Sequence, residues 1–252
     1  MTEFTTPVPE APRFSIGNVV SQTFSIYSRN FIPFFLLAFV VSLPSLLVQL
    51  SMLQDPNDPT PTFAAGSLVA ILLSSLLNLI VTASILYGVY QQMRGQRFTV
   101  GRSLQIAAAR LLPIIGVSIV STFIIWIGLI LLVIPGIILA LMLMVAVPAI
   151  VVERVGVFDA LSRSKDLTEG HRLELLGLIV LYMIIMWIVM AVVGVVLGMI
   201  TGFGTGVLWT VLWQAFSVAI GLISSVGLGV LYYELRRSKE GLDLNDLASV
   251  FE

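Results

Sequence analysis

Six long apolar stretches take up most of this chain and leave it few choices of fold. They run from Phe31 to Leu53, Phe63 to Tyr90, Leu111 to Ile134, Ile137 to Val152, Leu173 to Ile200 and Val207 to Tyr233. Apart from Glu174, at the start of the fifth, none contains Lys, Arg, Asp or Glu. A helix rises about 1.5 Å per residue and a hydrocarbon core is about 30 Å thick, so most of these stretches are long enough to span a bilayer. The fourth is short and is expected to borrow a turn from its flanks.

The charges between the stretches give the expected orientation. The turns after the first, third and fifth stretches carry no cation: the first has Asp55 and Asp58, the second is Pro135-Gly136, and the third runs from Thr201 to Gly206. All 13 basic residues fall in the termini and the remaining loops: Arg13, Arg29, Arg94, Arg97, Arg102, Arg110, Arg154, Arg163, Lys165, Arg172, Arg236, Arg237 and Lys239. The positive-inside rule makes that side cytoplasmic, with both termini inside a cell membrane. Residues are 58% hydrophobic and 11% charged, whereas a water-soluble domain carries about a quarter charged residues. The net charge of −1 says nothing about partners, because polarity is sorted by side rather than by sum. Met1 to Arg13 is polar and Pro-rich, which reads as a cytoplasmic tail rather than a signal peptide, and residues 238–252 read as a second tail. The absence of Cys removes disulfides and thiolate chemistry together.

The chain also repeats itself. Phe14-Ser15-Ile16-Gly17, Phe98-Thr99-Val100-Gly101 and Val155-Gly156-Val157-Phe158 each open a short amphipathic stretch, which ends at Arg29-Asn30, Arg110 and Gly170-His171-Arg172 respectively. Apolar residues recur at helical spacing within them, as at Ile16, Val19, Val20, Phe24 and Tyr27. Ser15 and Thr99 stand where N-caps are expected. Each even-numbered stretch then closes on an Arg: Arg94, Arg154 and Arg236. The predicted unit is an interfacial helix followed by a membrane hairpin, used over residues 14–94, 98–154 and 155–237. The fold expected is an all-α membrane domain over 14–237, with three units of the same orientation about a pseudo-threefold axis along the membrane normal.

Pro135-Gly136, Pro148, Glu153 and the run Ala160-Leu161-Ser162-Arg163-Ser164-Lys165-Asp166-Leu167-Thr168-Glu169-Gly170 resemble the signature of the glycerophosphoryl diester phosphodiesterase membrane-domain family and its bacterial inner-membrane relatives. His171 follows where that family often has Asn. The resemblance implies six membrane helices with no activity of their own, and a catalytic domain fused or associated elsewhere. A phosphodiesterase site needs paired His residues and a carboxylate cluster around a metal. This chain has one His, so no enzyme activity, metal or cofactor is expected. His171 reads as a boundary residue capping the fifth span, with Glu174 one turn on.

Three groups of residues remain as candidates. Arg102, Arg110, Arg163, Lys165 and Arg172 form a basic collar for anionic lipid or a protein partner, each nearby cation contributing about 1 kcal/mol. Asn78, in a row with Ala70, Ser74 and Thr82, and Gln214 are intramembrane polar groups suited to bonds between helices or to a polar path. Gly194, Gly198 and Gly202 on the fifth span, with Ser217, Gly221, Ser225 and Gly229 on the sixth, are expected to be ridges of close helix packing. Pro44 and Pro148 are expected to kink their spans, and Trp209 and Trp213 to anchor the outer interface. The function this suggests is a non-enzymatic module engaging membrane lipids, or organising a partner, at the cytoplasmic surface, with no nucleic-acid partner. The alternative is a passive carrier or flippase for a lipid-like or neutral solute.

Overall fold

The computed structural model describes residues 14–51, 53, 65–96, 100–202 and 206–240. The two tail ends, the Asp55–Asp58 loop, Thr99 and residues 203–205 of the Thr201 to Gly206 turn lie outside the described residues. The described residues form α-helices without strands: α1 (Ile16–Ser51), α2 (Ala65–Met93), α3 (Val100–Ala109), α4 (Leu111–Leu131), α5 (Val133–Leu143), α6 (Ala146–Val152), α7 (Val157–Thr168), α8 (Arg172–Thr201) and α9 (Val207–Glu240). Among the described residues, six helical segments are long and apolar enough to cross a membrane, the fourth being α5 and α6 together over Val133–Val152. Its missing turn comes from Val133 to Gly136. The turn expected at Pro135-Gly136 is therefore the single extended residue Leu132.

Proline explains where the helices break. Asn30 (φ −116°, ψ 16°), Arg110 (φ −108°, ψ 11°), Val145 (φ −103°, ψ 15°) and His171 (φ −109°, ψ 7°) share one non-helical backbone conformation. Pro33, Pro113 and Pro148 each lie three residues after the first three of these breaks, and Glu174 three after the fourth. At that position of a new helix the amide has no intrahelical partner, so Pro loses nothing there while its ring forbids the helix from running in unbroken. Glu174 instead places a carboxylate against the positive end of the helix dipole. The break in the helical backbone of α1 accordingly falls at Asn30, ahead of Pro33, while the backbone angles at Pro44 stay helical.

Packing is densest at the basic end. Phe34, Ile85, Val89, Ile114, Val117, Val145, Ile150, Leu167, Leu175 and Leu235 are fully buried there, with Tyr232 among them. The opposite halves of the helices expose Leu36, Val40, Leu47, Ile130, Leu131, Val133, Ile134, Met199 and Ile200. The first half of α1, α3 and α7 pack against α9, α2 and α5–α6 respectively. In each contact a buried hydroxyl sits seven residues before the break: Thr23, Ser103 and Ser164. Ser164 Oγ donates to the Met142 carbonyl at 2.7 Å and accepts from the Val145 amide at 3.2 Å, satisfying the backbone where α5 gives way to α6.

Candidate functional site

A polar cluster ties the basic ends of four helices together. Glu153, just after α6, accepts from Tyr232 Oη at 2.6 Å and takes both carboxylate oxygens to Arg163 Nε at 2.9 Å. Arg163 also pairs with Glu240, which accepts from Arg236 Nε at 2.6 Å. Arg236 in turn donates to Tyr90 Oη at 2.8 Å, and the guanidinium groups of Arg236 and Arg94 both lie 5.9 Å from the Tyr90 ring centre. Every charge here has a partner, so the cluster works as a clamp between α2, α6, α7 and α9. Sequence marked Arg236 as a recurring exit residue and Glu153 as part of the family resemblance, but spacing alone does not reveal that they meet Tyr90 and Tyr232.

Beside the clamp an apolar groove of about 320 Å³ opens between the first half of α1, α8 and α9. Val19, Phe24, Leu178, Ile185, Met186 and Leu231 are among its lining residues. The polar side chains in the wall are already satisfied: Thr23 Oγ1 donates to the Val19 carbonyl at 2.6 Å, and Tyr182 Oη bonds Ser224 Oγ. The most apolar stretch of α8 contains no buried residue, so the groove continues into a broad apolar surface. On the other side of the α1–α9 contact lies a polar pocket of about 670 Å³ at the bend of α1, reached by Arg29 and Arg237.

The collar cations divide by environment. Arg102 and Lys165 are exposed. Arg163 is committed to Glu153 and Glu240, and Arg110 donates to the Arg154 carbonyl at 3.0 Å. The Arg172 Nε is buried with no hydrogen-bond partner. A single lipid-facing surface made of all five is therefore not what the side chains form.

The intramembrane polar residues are not brought together. Asn78 donates to the Ser74 carbonyl on its own helix at 2.9 Å, and Gln214 accepts from Gln49 on α1 at 3.1 Å. His171 is the N-cap residue of α8 by position, yet its side chain makes no cap; Nδ1 meets Glu174 at 2.9 Å and Nε2 lies 3.4 Å from Ser238 Oγ.

The small residues also fall differently from their pattern. Gly229 is tight, since a Cβ there would lie 3.0 Å from Val89, and Gly194 rests against Trp213. Gly198 is buried, while Gly202 ends α8 at φ 82° and faces open space. Gly221 likewise meets nothing within 4 Å, and Ser217 and Ser225 are half-buried. Among the described glycines, the tightest approach is elsewhere, between α4 and α5. A Cβ on Gly136 would lie 2.7 Å from Leu129 Cα, and one on Gly128 would lie 3.0 Å from Gly136 Cα. The single-residue turn at Leu132 forces that proximity, and no i, i+4 row signals it.

The class these features define is a protein whose described residues are all helical, with six helices among them long and apolar enough to cross a membrane and tight packing at the basic end. The chain belongs to a family described as a domain of unknown function (DUF7847), whose model matches residues 95–233. The match takes in Glu153, Arg163 and Tyr232 of the clamp and leaves α1 outside. No curated protein and no solved structure matches the chain.

Proposed function

We propose that this protein is a non-enzymatic membrane module that holds lipid at its basic, cytoplasmic end. The apolar groove carries the reading. Its walls offer no unsatisfied polar group among Thr23, Tyr182 and Ser224, so its natural occupant is a hydrocarbon chain rather than a hydrated solute. Phe24, Leu181 and Ile185 at its edge are exposed, which gives a lipid tail lateral access from the apolar surface of α8. Elsewhere on the basic end, Arg102 on α3 and Lys165 on α7 are exposed and outside the clamp, where they attract anionic headgroups.

The architecture proposed around the groove is a pseudo-threefold bundle of three interfacial helices and three hairpins, as in the resemblance to the glycerophosphoryl diester phosphodiesterase membrane domain. Three observations support it: the matching backbone at Asn30, Arg110 and His171, the buried hydroxyl seven residues before each, and the cyclic packing of α3 on α2, α7 on α5–α6 and α1 on α9. The carrier reading lacks a comparable support, since Asn78 and Gln214 bond separately.

Native mass spectrometry of the gently extracted full chain tests the lipid reading. The wild type is expected to retain phospholipid, and Ile185→Trp, which fills the groove from the exposed face of α8, is expected to retain less. A wild type that carries no lipid, or an Ile185→Trp variant that carries as much, would sink it.

A further inference from the structure

The inward face of α8 carries Arg172, Leu175, Ile179, Tyr182 and Met186, at helical spacing. Leu175 is fully buried and the other four are half-buried, while Leu173, Glu174, Val180, Met183 and Ile184 between them are exposed. Ile179, Tyr182 and Met186 line the apolar groove. Arg172 opens the helix about 10 Å nearer the basic end than Ile179, on the same face, where the apolar stretch begins. The groove thus has a cation in line with one of its walls.

Folding does not account for a guanidinium at that place. The residues that follow the other two collar breaks are Phe31 and Leu111, both apolar, after the same backbone conformation at Asn30 and Arg110. A cation in the first turn also faces the positive end of the helix dipole. Arg172 Nε is closed off without a hydrogen-bond partner, and among the described residues no carboxylate pairs with the side chain. Glu174, the acid nearest in the chain, is engaged elsewhere and meets His171 Nδ1 at 2.9 Å. Arg does not lose its proton inside proteins, so it cannot ease its position by becoming neutral. An anion from outside the chain can ease it. The same hairpin departs from its counterparts once more, at Gly227, nine residues before the exit Arg236. Nine residues before Arg94 and Arg154 stand Ile85 and Val145, both buried. Gly227 lines the groove, and a Cβ there would lie 3.5 Å from the Thr23 side chain, so its bare backbone keeps the space beneath α1 open. A missing side chain and an unpaired cation therefore fall on the two helices that flank one groove.

We infer that Arg172 is the headgroup site of the groove and takes an oxyanion carried on a hydrocarbon chain, with the chain running along Ile179, Tyr182 and Met186. Such an anion is either the carboxylate of a fatty acid or the phosphate of an acidic phospholipid, since both present a guanidinium with paired oxygens. The inference rests on the lipid reading above and gives it a headgroup chemistry.

Native mass spectrometry of the full chain in a short-chain neutral detergent supplies the test, with two matched pairs of probes: dodecanoate against dodecanol, and dilauroyl phosphatidylglycerol against dilauroylglycerol. The wild type is expected to bind the charged member of a pair about tenfold more tightly than its neutral counterpart. Arg172→Gln should remove that preference, Arg172→Lys should keep most of it, and Lys239→Gln, exposed at the end of α9, should leave it intact. Arg172-dependent binding of dodecanoate alone assigns a fatty acid, of phosphatidylglycerol alone a phospholipid, and of both an oxyanion on either carrier; all three support the site. Arg172→Leu, which copies Leu111, should raise the melting temperature of the lipid-free protein by removing an unpaired charge. A lowered melting temperature would assign Arg172 to the fold and overturn the inference. So would a preference that survives Arg172→Gln, or that Lys239→Gln removes to the same extent, since it would then reflect the general field of the basic end. The groove fails separately. Charged and neutral probes bound alike and lost together in Ile185→Trp keep the groove and discard Arg172, whereas Arg172-dependent binding untouched by Ile185→Trp keeps the anion site and discards the groove.

Discussion

Arg154 is the one described residue other than Gly with a positive φ, at 58°, and it ends the helix that carries Glu153. Its counterpart after α2 is Gly95, at φ 72°, which suits the left-handed region without strain. An L-residue there costs about 1–2 kcal/mol, and the exposed Arg154 side chain has no partner among the described residues to offset it. Arg154→Gly is therefore expected to raise the melting temperature in detergent, provided the Arg110 bond to its carbonyl survives. A lowered melting temperature would show that the Arg154 side chain does work of its own. The opposite sign is expected at Gly136. Gly136→Ala drives a methyl group to 2.7 Å from the Leu129 Cα, and because backbone cannot swing aside the cost should lie near about 3 kcal/mol, the upper end for overpacking. Gly221→Leu, by contrast, projects into open space and should leave the melting temperature unchanged. A sequence reading places these two glycines the other way round, because Gly221 sits in a regular i, i+4 row while Gly136 sits beside a turn. Periodicity reports which residues share a helix face, but not whether another helix lies against that face.

At the level of helices, the clamp separates cations that hold the fold from cations that face outward. Arg163→Gln on α7 leaves Glu153 with Tyr232 as its close donor and removes the pairing with Glu240. Breaking a buried pair costs about 3–5 kcal/mol, and the 28% exposure of the Arg163 side chain places this one below that range, at about 1–2 kcal/mol. Lys165→Gln, two residues on and exposed, should leave stability unchanged. If both variants melt alike, the clamp is not what joins α7 to α9. From sequence, Arg163 and Lys165 look equivalent: both are basic and both lie on one amphipathic stretch. What separates them is Glu153, ten residues upstream, and Tyr232 and Glu240, which reach the same point from the far end of the chain. The breaks between helices were more legible, because Pro acts locally. Even so, Pro44 sits within helical backbone whereas Pro33 follows a non-helical residue, so proline alone does not fix a break; the Asn30–Gln92 pair bonds across to α2 at that break.

For the whole molecule, six spans could be read directly from composition because a membrane helix needs only length and an absence of charge. The groove could not, since α1 from one end of the chain builds it together with α8 and α9 from the other, and only tertiary packing leaves the space. The proposed orientation lies between these cases: it follows from where the cations stand, and it decides whether the groove and pocket face the cytoplasmic leaflet. With no native Cys in the chain, single cysteines can report it without background. A Cys in place of Asp58, in the acidic loop after the first span, should react with a membrane-impermeant thiol reagent added to intact cells. Lys239 is the better inner reporter than Ser238, because it is exposed while the Ser238 hydroxyl lies 3.4 Å from His171 Nε2. Lys239→Cys should stay unlabelled until the membrane is permeabilised, and then react fully. Labelling of Lys239→Cys from outside, with Asp58→Cys protected, would invert the molecule, placing the clamp, the groove and the polar pocket against the outer leaflet, and the cytoplasmic lipid reading would fall with it.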